Sequence, residues 1–227
     1  MTGSFESSGS EPDRYGALCQ DSRVAKSATQ RPTRGEKRRA AIERGAVDEF
    51  LAHGIAGASM ARIAEAAGIS RPALYQYYRD KEELFAASLV AVTEQRVDAA
   101  IAELTKPGTV AEQLDRFLQR YEGDLWQQMS ASDHTEEIIN AKSPDMRVAM
   151  AGTLDRLRIA LDVYFGSVCP GDSAQPQAQR ASWIDLLGMA PRGFWHDEPS
   201  VTVFRRRLTT LAYTIAAAAA PADQVNS

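Results

Sequence analysis

The stretch Ser70-Arg71-Pro72-Ala73-Leu74-Tyr75-Gln76-Tyr77-Tyr78 concentrates side chains suited to contact with nucleic acid. Arg71 carries paired donors that match the acceptors of guanine in a major groove. Gln76 can bond an adenine edge, and Ala73 can touch a thymine methyl. The hydroxyls of Tyr75 and Tyr77 can reach phosphates, which position a protein without reading sequence. Leu74 and Tyr78 are four residues apart, so on a helix they share one face and can anchor it inward. Away from such a setting, Tyr75 and Tyr77 would more often be packing residues; within this motif phosphate contact is favoured.

A reading helix needs neighbours to present it. The pattern predicts a first helix from Arg34 to Ala52, with Ile42, Ala46, Val47, Phe50 and Leu51 on one face. Gly54 suits a left-handed cap behind it. Ser59 can cap a short second helix, Met60 to Ala67, which Gly68 breaks. Ser70 can cap a third, ending near Tyr78, with Pro72 tolerated in its first turn. Asp80 and Glu83 form an Asp-x-x-Glu capping box that opens a long fourth helix. That helix reaches Leu104, and Lys106-Pro107-Gly108 closes it. Short helices with Gly68 between the second and third have the geometry of a helix-turn-helix.

Charge supports that reading locally rather than globally. The net charge is -4, yet residues 31–39 carry Arg31, Arg34, Lys37, Arg38 and Arg39 against Glu36 alone. A basic patch attracts phosphate even on an acidic protein. A solvated helix face is the competing reading for such a run.

Other chemistries find little support. His53, His134 and His196 are scattered and form no zinc motif. Cys19 and Cys169 fit no ligand spacing and read as free thiols. No nucleophile–base pair or phosphate-cradling glycine loop is visible. No cofactor is expected. No apolar run approaches a membrane span, and no signal core opens the chain, so a cytoplasmic protein without membrane partners is expected.

The segments Ile63-Ala64-Glu65-Ala66-Ala67-Gly68-Ile69-Ser70, Ala73-Leu74-Tyr75-Gln76-Tyr77-Tyr78 and Lys81-Glu82-Glu83-Leu84-Phe85 together resemble the DNA-binding domain of the tetracycline-repressor (TetR) family. The resemblance covers residues 34 to 85 and is architectural beyond them. It implies an all-α homodimer: an N-terminal helix-turn-helix domain joined to a larger helical ligand-binding and dimerisation domain. By position, it places DNA contacts on Arg71, Pro72, Ala73, Tyr75, Gln76, Tyr77 and Lys81. Ser59 and Met60 match backbone-touching positions, and Arg31 and Arg34 precede the first helix as an arm. Ser59 stands where many relatives carry Thr, and Tyr78 where Phe is commoner, so its hydroxyl needs a partner.

The implied organisation is a disordered tail over residues 1–30, a DNA-binding domain over 31–85 and a helical domain over 86–227. Four or five further helices are expected in the last part, with Cys169 to Gln177 as a loop. Phe117, Tyr121, Trp126, Met129, Met146, Met150 and Trp183 are candidates to line an apolar pocket for a small-molecule effector. Plain core packing is the competing reading for each. Arg96 and His134 are candidates to fix a polar ligand group. Apolar faces at Trp183, Ile184, Leu187 and at Val201, Phe204, Leu208, Leu211 suggest a homodimer through the last two helices, unless they bury within one chain. The function expected is a dimeric transcriptional repressor that binds a double-stranded operator and responds to a ligand. The alternatives are an activator or effector-independent DNA-binding protein, an enzyme using the C-terminal pocket, and a protein-interaction module.

Overall fold

The computed structural model describes residues 33–141, 144–169 and 174–219. The tail over 1–30, Arg31 and Cys19 lie outside them. The chain divides into two compact units, Met1–Lys37 and Arg38–Ser227. In the described part of the first, Thr33 and Glu36 cap a helix reciprocally. The Thr33 N–H donates to the Glu36 carboxylate at 2.6 Å and the Glu36 N–H to Thr33 Oγ1 at 3.2 Å.

Among the described residues every regular element is helical. The opening elements are α1 (Arg34–Gly57), α2 (Met60–Ala66), α3 (Arg71–Tyr75) and α4 (Lys81–Leu104). Then come α5 (Val110–Leu118), a π-helical turn (Gln119–Gly123) and α6 (Asp124–Met129), which run on without a break. The chain continues through α7 (Thr135–Asn140), α8 (Pro144–Val168), α9 (Ala174–Gly193) and α10 (Val201–Ala219).

Local chemistry sets the boundaries. Ile42, Ala46 and Phe50 recur every four residues and are all buried, which gives α1 its inner face. Gly54 has φ 68, so α1 turns there into left-handed backbone that glycine adopts without steric cost. Gly68 also has a positive φ, of 65. Its N–H donates to Glu65 O at 3.0 Å, and the Ile69 N–H donates to Ala64 O at 2.9 Å. These two bonds are a Schellman closure of α2. Asp80 caps α4 by accepting from the Glu83 N–H at 2.8 Å. The expected capping box is displaced by one residue, because the Glu83 carboxylate accepts from the Arg79 N–H at 2.7 Å and not from Asp80. A reciprocal box like that of Thr33 and Glu36 is formed at α5, between Thr109 and Glu112.

Two other boundaries differ from the sequence pattern. The third helix ends at Tyr75, since the Gln76 and Tyr77 N–H groups donate three residues back, to Ala73 O and Leu74 O. Residues 174–177, expected in a loop, open α9; Pro176 falls in its first turn, where a missing N–H costs nothing.

Buried side chains gather in two apolar clusters. One joins Ile42, Phe50, Ile63, Leu74 and Leu84 to Met129, Ile138 and Met146 from beyond residue 85. The other joins α4, α5, α8, α9 and α10 around Phe117, Phe165, Phe204 and Leu208. Burying each such side chain stabilises the fold by roughly 1.5–3 kcal/mol. Trp183, Ile184, Leu187, Phe204 and Leu208 belong to this second cluster. The faces expected between two copies therefore bury within one chain.

Gly54 is a position where substitution has a defined cost. A Cβ there would collide with the Glu137 carboxylate and lie 2.8 Å from His134 Nδ1, on backbone that L-residues avoid. Gly54→Ala is expected to lower unfolding free energy by about 1–3 kcal/mol, read by urea denaturation. A variant as stable as the parent would contradict the closed geometry of this corner.

Candidate nucleic-acid interface

Helix α3 is held by its inner side chains and offers its outer ones. Leu74 is fully buried under it. Tyr78 is also buried, and its hydroxyl donates to the Glu43 carboxylate on α1 at 2.7 Å. This bond supplies the partner that the extra hydroxyl requires. Burial, reinforced by Glu43, pushes the Tyr78 phenol well above its ordinary pKa. The Arg39 guanidinium lies over its ring, 5.6 Å from the centroid. At the head of α3 the Ser70 hydroxyl accepts from the Ala73 N–H at 3.3 Å, and Pro72 sits in the first turn.

The remaining face is open. Arg71, Pro72, Tyr75 and Gln76 are exposed; Ala73 and Tyr77 are half-buried. Arg71 lies over the Tyr75 ring at 5.7 Å from its centroid, with Nη2 3.4 Å from the phenol oxygen. The guanidinium is thus laid along the outer face of α3 while keeping donors free.

The helix in front is fixed by a half-buried carboxylate. Glu49 accepts from the Ser59 N–H at 2.9 Å and from Arg62 Nε at 2.7 Å. Burial opposes ionisation of Glu49, but the Arg62 guanidinium and the Ser59 N–H outweigh it and hold its carboxyl below the ordinary value. Ser59 caps α2 by accepting from the Ala61 N–H at 3.2 Å. The Met60 side chain is buried, so contact from that position falls to its backbone.

Two cations stand differently. Arg34 is exposed at the first residue of α1, whereas Arg31 lies outside the described residues. Lys81 is half-buried, and its ammonium donates to Ala56 O at 2.9 Å and Ala58 O at 3.4 Å. It ties the α1–α2 corner to α4 and has one donor left for phosphate.

The chain from Ser132 to Glu137 closes that corner from the other side. Ser132 Oγ donates to Leu51 O at 2.5 Å, and Glu137 Oε1 accepts from the Ile55 and Ala56 N–H groups at 3.0 and 3.2 Å. His134 lies 3.6 Å from the Glu137 carboxylate. Sequence reasoning singled out none of Glu43, Glu49, Ser132 or Glu137. The only local hint was the unpartnered hydroxyl of Tyr78.

The family model for bacterial regulatory proteins of the tetR family matches residues 42–88. The HTH-type transcriptional repressor SCO4008 of Streptomyces coelicolor is 40% identical over 83 residues, 37% of this chain and 42% of its own length. The HTH-type transcriptional repressor AcnR of Corynebacterium glutamicum is 30% identical over 135 residues, 54% of this chain and 69% of its own length. The chain belongs to the TetR family. A TetR-family transcriptional regulator from Mesorhizobium loti shares the fold, with a TM-score of 0.59 at 18% identity, over 82% of this chain and 98% of that one. The match to SCO4008 spans less than half of that repressor's length.

The candidate ligand residues of this TetR-family protein do not share one site. Phe117 and Tyr121 line a cavity of about 220 Å³ with Leu157, Leu161 and Ile184. Trp126 lines a separate cavity, and Met129 and Met146 each line others. Met129, Met146 and Met150 pack in or against the cluster under α3, while Trp183 packs in the other one. Arg96 lies over the Tyr121 ring at 4.7 Å from its centroid, which accounts for a half-buried Arg on an apolar stripe.

Arg71 and Gln76 are expected to read bases while Tyr75 and Tyr77 contact phosphate. Arg71→Ala or Gln76→Ala should cost roughly 1–3 kcal/mol on the operator and relax preference at one base position. Tyr75→Phe and Tyr77→Phe should weaken operator and scrambled duplexes by similar factors. Titrations on both duplexes separate the two behaviours, and unchanged preference in the Ala variants would remove α3 from the groove.

Proposed function

We propose that this protein is a dimeric transcriptional repressor whose operator binding is modulated by a small molecule. The observation that carries the reading is α3 itself, with Leu74 and Tyr78 buried beneath it and Arg71, Tyr75 and Gln76 exposed on it. Family membership and the repressor relatives support it. On this reading residues 31–85 form the DNA-binding domain and 86–227 the effector and dimerisation domain. The base and phosphate contacts are Arg71, Pro72, Ala73, Tyr75, Gln76, Tyr77 and Lys81, with Ser59 and Met60 on the backbone and Arg31 and Arg34 as the arm. Modulation is supported by the Ser132–Glu137 segment, whose bonds to the end of α1 give the C-terminal part a hold on the corner before α2.

The reading is tested by a gel shift on DNA upstream of the protein's own reading frame, repeated across salt. Several Lys and Arg contacts to phosphate make log affinity fall by several units per log unit of salt, because each releases condensed counterions. A flat response would overturn the arm-and-head picture.

The dimer is placed on the outer faces of α9 and α10. Leu186, Met189 and Tyr213 are 48%, 72% and 51% exposed, on helices whose inner faces are already buried. Ser182, Gly193, Thr210 and Ala217 nearby are exposed and uncharged, and the exposed charges beside them, Asp185 and Arg206, are of opposite sign, which suits a self-complementary contact. Sedimentation at micromolar concentration is expected to give a dimer. Leu186→Glu with Tyr213→Glu should give a folded monomer, whereas Phe204→Glu should unfold the chain. A monomeric parent would exclude this surface.

A further inference from the structure

We propose that the cavity between the α6–α7 turn and the α9–α10 loop binds a lipophilic organic cation. The inference names the effector class within the regulatory reading above and rests on it only for an effect on DNA. The cavity measures about 770 Å³, within the range of roughly 300–1,000 Å³ typical of small-molecule sites.

Its wall is aromatic. Trp126 and Trp195 lie with ring centroids 5.4 Å apart, tilted by 36°. Indole faces attract cations more strongly than other aromatic rings do. Its rim is acidic: Asp133, Glu136 and Glu198 line it, and no Lys, Arg or His does. None of the three carboxylates makes an ion pair or a side-chain hydrogen bond among the described residues. Uncompensated like charges beside an apolar wall select an apolar body that carries positive charge. A metal ion fits poorly, since among the described residues no group of three or more His, Cys, Asp or Glu could hold one.

Two further features mark the site. The Trp195 indole N–H is turned into the protein, buried and without a hydrogen-bond partner, an uncommon state for a buried donor. Glu198 has φ 47, left-handed backbone at a non-glycine residue. Such outliers persist where the surroundings hold them, and they cluster at ligand sites. Here the next residue is pinned, because the Trp126 indole donates to Pro199 O at 3.0 Å. The bend therefore keeps a carboxylate beside the aromatic pair.

The occupant would also touch the segment that holds α1. Ser132 lines the cavity, and its hydroxyl bonds Leu51 O. Trp195 packs against both apolar clusters.

The test uses two probes of one shape and opposite charge, tetraphenylphosphonium and tetraphenylborate, titrated into the full chain without DNA while tryptophan emission is followed. Tetraphenylphosphonium is expected to quench saturably and to bind at least tenfold more tightly than tetraphenylborate. Glu136→Gln combined with Glu198→Gln should weaken the cation at least tenfold and leave the anion unchanged or tighter, with a melting curve confirming the fold. Should that variant not fold, the two probes on the parent chain still decide, as does Trp195→Leu, which should lose the quenching and the affinity. Equal affinity for both ions, or cation binding unmoved by neutralising the rim, overturns the proposal. Failure here leaves the gel shift intact, and failure of the gel shift leaves this titration readable.

Discussion

The backbone groups freed where α1 turns at Gly54 must find partners, and those partners come from three separate parts of the chain. A helix that stops leaves carbonyls and, after the turn, amides without intrahelical bonds. Leu51 O is taken by Ser132, the Ile55 and Ala56 amides by Glu137, and the Ala56 and Ala58 carbonyls by Lys81. The Ser59 amide is taken by Glu49, which also holds Arg62. Leu51 O, Ala58 O and the Ser59 amide are part-buried, and leaving such a group unpaired costs up to about 1–3 kcal/mol, whereas the exposed Ile55 and Ala56 groups exchange these bonds for water at a smaller cost. The direction in which α2 departs, and with it the presentation of α3, depends on side chains up to 82 residues away.

That dependence explains what could be read from the sequence. Caps and turns are local, so Ser59, Ser70, Asp80, Gly54 and Gly68 announce themselves through residue type and spacing. The inward pair Leu74 and Tyr78 is equally local, being one helical turn apart. The matched family region, residues 42–88, lies almost wholly inside the stretch whose motifs carry the resemblance. Glu137 and Ser132 gave no such signal, because a carboxylate on an exposed helix start is ordinary until the fold brings an open helix end to it. Glu83 shows a finer limit: the pattern identifies a residue reaching back, but backbone geometry decides whether it meets residue 79 or 80.

The second half was legible as helices and not as a site. Apolar stripes on α5, α8, α9 and α10 predict burial, but a stripe does not say whether it faces its own chain or a twin. Phe204 and Leu208 turned inward, while the less conspicuous Leu186, Met189 and Tyr213 stayed outside. Likewise Phe117, Trp126 and Met146 share a composition and not a cavity. The acidic rim around Trp126 was invisible because Glu198 and Trp195 arrive from about seventy residues further on, across the α9–α10 loop.

Magnitudes indicate how little is needed for that cavity to affect the head. Coupling between sites in regulatory proteins is typically about 1–3 kcal/mol, and a net intramolecular hydrogen bond is worth roughly 0.5–1.5 kcal/mol. Perturbing one or two of the bonds from Ser132 and Glu137 to α1 therefore spans the whole range. A ligand shifts an equilibrium only if it binds one arrangement better than another. On the proposed reading an occupant against Ser132 would meet that condition, because Ser132 is itself a partner of the α1 end. The reciprocal also holds. If DNA and the cation favoured different arrangements of the α1 corner, each would change the affinity for the other by the same factor, through the bonds that Ser132 and Glu137 make to the end of α1.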